Sequence, residues 1–181
     1  MNQDALKRSI LLRIPKLLLV LTFAFSCTAK SRLQTPTREQ SEVSLKIFSK
    51  PLQDTQGREV SLAKLQASEH SPPVAYHFFA SWCQSCREEI ATLTKISASG
   101  NPSVKIVHIS LDETKEDAEA VLKESGLQNQ NLIMDPGGSI LTSLGEKSIP
   151  FTVAFNSQGE LKIYEEGPVL SLPATLGQLN H

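Results

Sequence analysis

Two cysteines three residues apart are the side chains of this sequence best suited to chemistry. Cys83 and Cys86 follow an apolar run, residues 74–80, and precede a helical pattern. A strand-to-helix turn would set Cys83 at a helix N-terminus and Cys86 one turn inside. The thiolate is the reactive form of cysteine, and the partial positive charge of a helix N-terminus favours it. The spacing therefore indicates thiol–disulfide exchange, in which Cys83 attacks a substrate disulfide and Cys86 releases the mixed disulfide.

Residues 79–89 read FASWCQSCREE. This segment resembles the active-site segment of the thioredoxin superfamily, most closely that of its membrane-anchored TlpA/ResA-like thiol-disulfide oxidoreductases. The similarity runs from about Val43 to near the C-terminus. It implies an α/β, thioredoxin-like fold with an N-terminal β-hairpin and a helical insert in the core. It implies no cofactor beyond the two thiols.

The resemblance assigns roles to three further residues. Glu89 lies three residues past Cys86, on the same helix face, where ResA-like members carry a glutamate that can exchange a proton with the inner thiol. Pro150 matches the cis proline that lies beside the cysteine pair in the superfamily and exposes the backbone of Ile149 to a substrate strand. The simpler alternatives are a solvated glutamate and a proline that begins a strand.

His77 departs from the family pattern, which has an acid or asparagine six residues before the first cysteine. It shares a strand face with Ala75 and Phe79. A neutral imidazole there could relay a proton to Cys86, and a charged one would lower the pKa of that thiol; a buried structural histidine is the alternative. Trp82 is expected to cover the disulfide and to offer apolar contact to substrate.

Short apolar patterns set the expected elements around this site. Alternation at Val43, Leu45 and Ile47 predicts a strand that pairs, across the turn 54–57, with a second strand at 60–62. Eight more elements are expected downstream, followed by a weak helix near the C-terminus: strand 74–80, a helix after the cysteines, strand 104–110, helix 112–125, a short strand and a short helix within 132–144, and the two hairpin strands 151–155 and 161–164. Thr114 and Asp117 have the spacing of a capping box at the start of helix 112–125. Alternating strands and helices predict a parallel sheet, to which the last hairpin adds antiparallel strands.

The first 26 residues read as an export signal. Four basic residues precede an apolar run, residues 17–25, and a small residue follows. Nine apolar residues are too few to cross a bilayer, which takes about 20. Ser26-Cys27 ends a segment that resembles a bacterial lipobox, so Cys27 is the expected lipid-attachment residue; cleavage without lipid and an uncleaved anchor stay open. Residues 27–42 are polar and predict a flexible tether, leaving 43–181 as the thioredoxin-like domain.

These features predict a periplasm-facing, membrane-anchored disulfide reductase of the bacterial envelope. The expected partners are a disulfide-bearing exported protein, such as an apocytochrome c awaiting haem, and a transmembrane thiol electron donor; the oxidant direction stays open. The net charge of −1 argues against a nucleic-acid partner. The alternative function is a copper- or zinc-binding chaperone on the same fold, with His77 or His108 adding a nitrogen ligand to the thiolates.

Overall fold

The computed structural model of this 181-residue chain describes residues 35–68, 70–98, 104–127 and 131–168, without the side chains of 96–98. These residues belong to one compact unit, which spans 31–181. The predicted export signal, the lipid-attachment residue Cys27 and the C-terminal helix lie outside the described residues. Within those ranges, no helix combines the length and apolar character needed to cross a membrane.

A five-stranded mixed sheet forms the centre of the unit, with the strand order β5-β4-β3-β6-β7. Its strands are β3 (Val74–Phe79), β4 (Lys105–Ser110), β5 (Asn131–Met134), β6 (Phe151–Phe155) and β7 (Leu161–Glu166). The first three are parallel, and the last two add antiparallel pairs. All six residues of β3 are buried, as expected for a central strand covered on both faces. The predicted α/β, thioredoxin-like architecture is confirmed.

Helices pack on the sheet and connect consecutive strands along the chain. They are α3 (Gln84–Ala98), α4 (Lys115–Glu124) and α5 (Ser139–Ser143). Helix α4 begins at the predicted cap, where the Thr114 hydroxyl accepts a hydrogen bond from the Asp117 backbone N–H at 3.3 Å. Together, α4 and α5 lie between β4 and β6 in the chain and account for the predicted helical insert.

The N-terminal strand predicted at residues 43–47 is wrong. These residues lie in helix α1 (Arg38–Phe48), which begins with a capping box formed by Thr37 and Gln40. The alternation reflected helical positions instead: Val43 and Ile47, four residues apart, pack against the core, whereas Leu45 is 37% exposed. Residues 38–42, predicted as tether, form the first turn and a half of the same helix.

A shorter hairpin follows α1. It pairs β1 (Leu52–Gln53) with β2 (Glu59–Val60) across the predicted turn. The predicted second strand is therefore confirmed at Val60, while its last residue, Leu62, begins the short helix α2 (Leu62–Leu65). The predicted N-terminal hairpin exists, but its first strand lies nine residues later than expected.

The two faces of the sheet differ in character. One face packs a large apolar cluster in which the rings of Phe48 and Tyr76 stack at 3.9 Å. The other face carries Ala75 and Phe79, which pack in clusters shared with α3 residues such as Leu93 and Ile90. Between those two clusters, this second face carries polar side chains.

Candidate active site

The cysteine pair lies at the turn from β3 into α3, as predicted. Cys83 precedes the first helical residue, and it forms a disulfide with Cys86. The backbone N–H of Cys86 points at Cys83 Sγ, 3.2 Å away, and the Ser85 hydroxyl lies 3.5 Å from the same sulfur. Cys83 is 7% exposed and Cys86 is fully buried. The outer sulfur is thus the accessible one, and helix N–H groups are in place to stabilise negative charge on it.

A cis peptide bond faces the disulfide. The Ile149–Pro150 bond is cis, as the resemblance implied, and the carbonyl oxygen of Ile149 lies 3.9 Å from Cys83 Sγ. Pro150 directly precedes β6, the antiparallel neighbour of β3. The structure therefore brings Ile149, Pro150 and Cys83 together.

A buried carboxylate fixes the loop before the cysteines. Asp112, 4% exposed, accepts hydrogen bonds from the Ser81 backbone N–H at 3.0 Å and from the hydroxyls of Ser81 and Ser110 at 2.8 Å each. The Arg87 side chain donates to the Ser81 carbonyl oxygen at 2.9 Å. No pattern considered in the sequence pointed to this network. Asp112 follows β4 and Ser81 follows β3, and the carboxyl ends of adjacent parallel strands meet at one edge, which was the available signal.

Trp82 extends from this loop into solvent. Trp82 is 69% exposed, and it borders a depression of about 390 Å³. Seven residues line that depression: Ser81, Trp82, Leu111, Asp112, Glu113, Asp117 and Gly137. An apolar ring exposed next to a reactive disulfide can contact a substrate. Its predicted role as a cover over the disulfide stays a prediction.

His77 and Glu89 meet in the interior beneath α3. His77 Nε2 lies 3.3 Å from Glu89 Oε2, and the two residues are 1% and 3% exposed. Glu88, the neighbouring glutamate, is exposed. Glu89 is therefore no solvated helix residue, because it shares a buried hydrogen-bonding contact with the histidine that departs from the family pattern.

His108 and Thr152 flank His77 on the same face of the sheet. In the strand register, His77 is opposite His108 on β4 and opposite Thr152 on β6. His108 and Thr152 are fully buried, and the imidazole rings of the two histidines meet edge to face with centroids 5.5 Å apart. Burial, and then the positive charge that His77 can carry, hold the pKa of His108 well below its ordinary value of 6.5. No catalytic role was predicted for His108 or Thr152, because neither residue is near the cysteines in sequence.

The metal alternative named His77 and His108 as nitrogen ligands. Within the part of the chain that the structure describes, no group of three or more histidine, cysteine or carboxylate side chains is arranged to hold a metal ion.

The chain is similar to known proteins with a cysteine pair of this kind. It is 28% identical over 93 residues to the thiol:disulfide interchange protein HelX of Rhodobacter capsulatus, covering 51% of each chain. It is 30% identical over 94 residues to a thiol:disulfide interchange protein DsbE homolog of Paracoccus denitrificans, covering 52% of this chain and 50% of that protein. The chain thus spans about half the length of these curated relatives.

A solved structure shows the same fold over a longer span. A secreted disulfide oxidoreductase of Mycobacterium tuberculosis, described as homologous to Escherichia coli DsbE, superposes with a TM-score of 0.59 over 74% of this chain and 96% of that one, at 20% identity. A family model described as thioredoxin-like matches residues 72–161. That span begins just before β3 and ends at the start of β7, so it contains the cysteine pair, the buried polar residues and the cis proline. Residues 72–161 therefore form a thioredoxin-like domain.

Proposed function

We propose that this chain is a protein thiol-disulfide oxidoreductase that works through Cys83 and Cys86. The observation that carries the proposal is the disulfide at the start of α3, with the accessible sulfur facing both the Cys86 N–H and the Ile149 carbonyl. The relatives named as thiol:disulfide interchange proteins support it. A structural disulfide would not need an approach route for a second protein, whereas this one lies beside an exposed tryptophan.

Cys83 is the proposed attacking thiol. In the reduced chain its thiolate attacks a client disulfide, and the client disulfide bond breaks as the mixed disulfide forms. The Cys86 thiol then attacks Cys83 Sγ and releases the client as a dithiol, so two electrons pass from the chain to the client. The helix N-terminus supports the first step by favouring thiolate at Cys83 over thiolate at the buried Cys86.

Glu89 and His77 are the proposed acid–base groups. Cys86 must lose its proton before it attacks, and water has little access to a fully buried sulfur. Glu89 lies one helical turn further along α3 and is in contact with His77, so a proton accepted by the carboxylate can pass to the imidazole. General acid–base groups of this kind accelerate reactions by roughly 10²–10⁴-fold.

Ile149, Pro150 and Trp82 are the proposed client-binding residues. The backbone of Ile149 lies next to Cys83 and can pair with an extended client segment. Trp82, directly before Cys83 in the chain, offers an exposed apolar surface. A peptide held between them would present its own disulfide to Cys83.

The proposed setting is the bacterial cell envelope, on the periplasmic side, with the client an exported protein that carries a disulfide. Apocytochromes awaiting haem are candidate clients, and a transmembrane thiol donor would reduce the chain again, because the compartment itself is oxidising. Cys27 would carry the lipid anchor. The intact mass of the protein purified from membranes tests this point: an added diacylglyceryl group on Cys27 is expected, and an unmodified chain cleaved near residue 26 would contradict it.

The reduction potential of the Cys83/Cys86 pair tests the proposed direction. The chain is equilibrated in thiol buffers of known potential, and free thiols are trapped by alkylation. A value of about −270 mV, as in thioredoxin, is the expected result for a reductase, whereas a value of about −120 mV would make the chain an oxidant. Failure to form a reversible disulfide would overturn the redox function altogether.

A further inference from the structure

Buried polar side chains concentrate at one place on the sheet face beneath α3. Along the face beneath α3, the neighbouring row of the sheet is apolar and consists of Ile106, Ala75, Ala154 and Ile163. The row through His77 instead places His108 on one side and Thr152 on the other. Burying such groups costs free energy unless they are hydrogen-bonded.

These groups lack the hydrogen bonds that a purely structural role would give them. His77 Nδ1, both ring nitrogens of His108 and the Thr152 hydroxyl are buried without a hydrogen-bond partner among the described residues. More than about 90% of buried polar groups in folded proteins are paired. One of the four atoms belongs to His77, and the other three belong to its cross-strand neighbours. Together they leave unused hydrogen-bonding capacity around the His77 ring.

That capacity matches what a protonated His77 needs. When the ring takes a proton, both nitrogens become donors. Glu89 accepts from Nε2, and Nδ1 then requires an acceptor on its other side. The Thr152 hydroxyl and a ring nitrogen of His108 are cross-strand neighbours that can accept, directly or through one internal water molecule.

We propose that His108 and Thr152 are positioning residues that allow the buried His77 ring to carry positive charge, so that His77 receives the Cys86 proton through Glu89. This inference rests on the proposed redox function. As Cys86 attacks Cys83 Sγ, its proton passes to Glu89 and from Glu89 to His77 Nε2. The two client thiolates that leave finally take up, through solvent, the two protons that the cysteine pair has lost.

His108 acts as a neutral partner in this scheme. It is fully buried, and neither of its ring nitrogens has a hydrogen-bond partner among the described residues. The titratable groups around His77 are Glu89 and Cys86 on α3, His108 on β4, and Glu165, which is opposite Thr152 on β7. Repulsion between two imidazolium rings 5.5 Å apart would limit the His77–His108 pair to a single positive charge.

The test separates the two thiol steps in the full chain, with Cys27→Ala in every variant. The reduced protein is mixed with dithiobis(nitrobenzoate): the first nitrothiobenzoate released reports attack by Cys83, and the second reports closure by Cys86. His108→Phe and Thr152→Val keep side-chain size but remove hydrogen bonding. We expect each to slow closure at pH 7 by about tenfold while leaving the first step unchanged, and His108→Gln to keep closure within about threefold of the parent.

The pH profile of closure distinguishes positioning from mere structural support. Loss of polar partners weakens His77 as a base, so the pH of half-maximal closure should move down in His108→Phe and Thr152→Val. Closure rates and profiles within twofold of the parent in both variants would overturn the inference. Glu89→Gln distinguishes failure of this inference from failure of the proposed function. Slow closure in Glu89→Gln with normal closure in His108→Phe and Thr152→Val overturns only the positioning role. Normal closure in Glu89→Gln overturns the proposed role of Glu89 as proton acceptor.

Discussion

Two buried polar sites adjoin the cysteine pair, and they are built in opposite ways. Asp112 receives hydrogen bonds from a backbone N–H and two hydroxyls. The site around His77 has a hydrogen-bonding contact between His77 and Glu89, and it keeps several buried polar atoms without hydrogen-bond partners among the described residues. A saturated site, in which the polar atoms have hydrogen-bond partners, holds a loop in one geometry. An unsaturated site, in which several polar atoms have none, retains the capacity to bind a proton. Asp112 therefore holds Ser81 and the loop before the cysteines in place, and the spare hydrogen-bonding capacity at His77 is what supports the proposal that this site takes part in the reaction.

The largest expected effect is on stability at the saturated site. Asp112→Ala leaves the Ser81 N–H and two hydroxyls without their acceptor. Each such group that water cannot reach lowers the free energy of unfolding by about 1–3 kcal/mol. We expect the free energy of unfolding to fall by about 3 kcal/mol, measured by urea denaturation. The matched control is Glu113→Ala, which removes the exposed carboxylate next along the chain and should cost less than about 0.5 kcal/mol. Equal losses in the two variants would show that Asp112 does not hold the loop.

The next effect is kinetic and falls on the unsaturated site. Glu89→Gln removes the proposed proton acceptor, and closure of the disulfide by Cys86 should slow by about 10²-fold. Glu88→Gln is the control, because it changes an exposed carboxylate on the same helix turn. Single-turnover thiol release measures both. Similar closure rates in the two variants would contradict the acid–base role of Glu89.

The contrast also separates what the sequence could predict from what it could not. Local signals were sufficient for β3, α3, the turn 54–57 and the Thr114 cap, because each depends on residues within one turn or one strand. The resemblance supplied Glu89 and the cis peptide before Pro150.

The features that could not be predicted depend on how the strands pair or on local patterns that fit two structures. His108 and Thr152 are 31 and 75 positions from His77, and only the pairing of three strands brings them together. The error at residues 43–47 had a different cause. Alternation over five residues also fits a helix with two inward positions four apart, and the capping box at Thr37 and Gln40 decides between them.

A third effect depends on pH. Because burial holds the pKa of His108 below its ordinary value, the unfolded chain binds a proton at this residue more readily than the folded chain does. This contribution to stability is therefore fully present above about pH 6.5 and is lost as the pH falls, by at most about 1.4 kcal/mol per unit. His108→Phe should flatten the stability curve below pH 6.5 relative to the parent, whereas His70→Gln, a change at an exposed histidine, should leave it unchanged. Parallel curves for His108→Phe and the parent would refute the prediction.

The smallest effect concerns two threonines. The Thr152 hydroxyl has no partner among the described residues, whereas the Thr114 hydroxyl caps α4. Thr152→Val should leave the free energy of unfolding unchanged or raise it by up to about 1 kcal/mol. Thr114→Val should lower it by about 1 kcal/mol. A large loss in Thr152→Val would mean that its hydroxyl is a structural partner like those of Asp112.

The most direct measurement of the central claim is the capture of a mixed disulfide by single-cysteine variants. Cys86→Ser and Cys83→Ser, each with Cys27→Ala, are incubated with a disulfide-bearing protein, and the covalent products are identified by mass spectrometry. If Cys83 attacks and Cys86 releases the client, Cys86→Ser accumulates a long-lived complex through Cys83, and Cys83→Ser forms none. A complex that forms only through Cys86, or no complex with either variant, would contradict the claim.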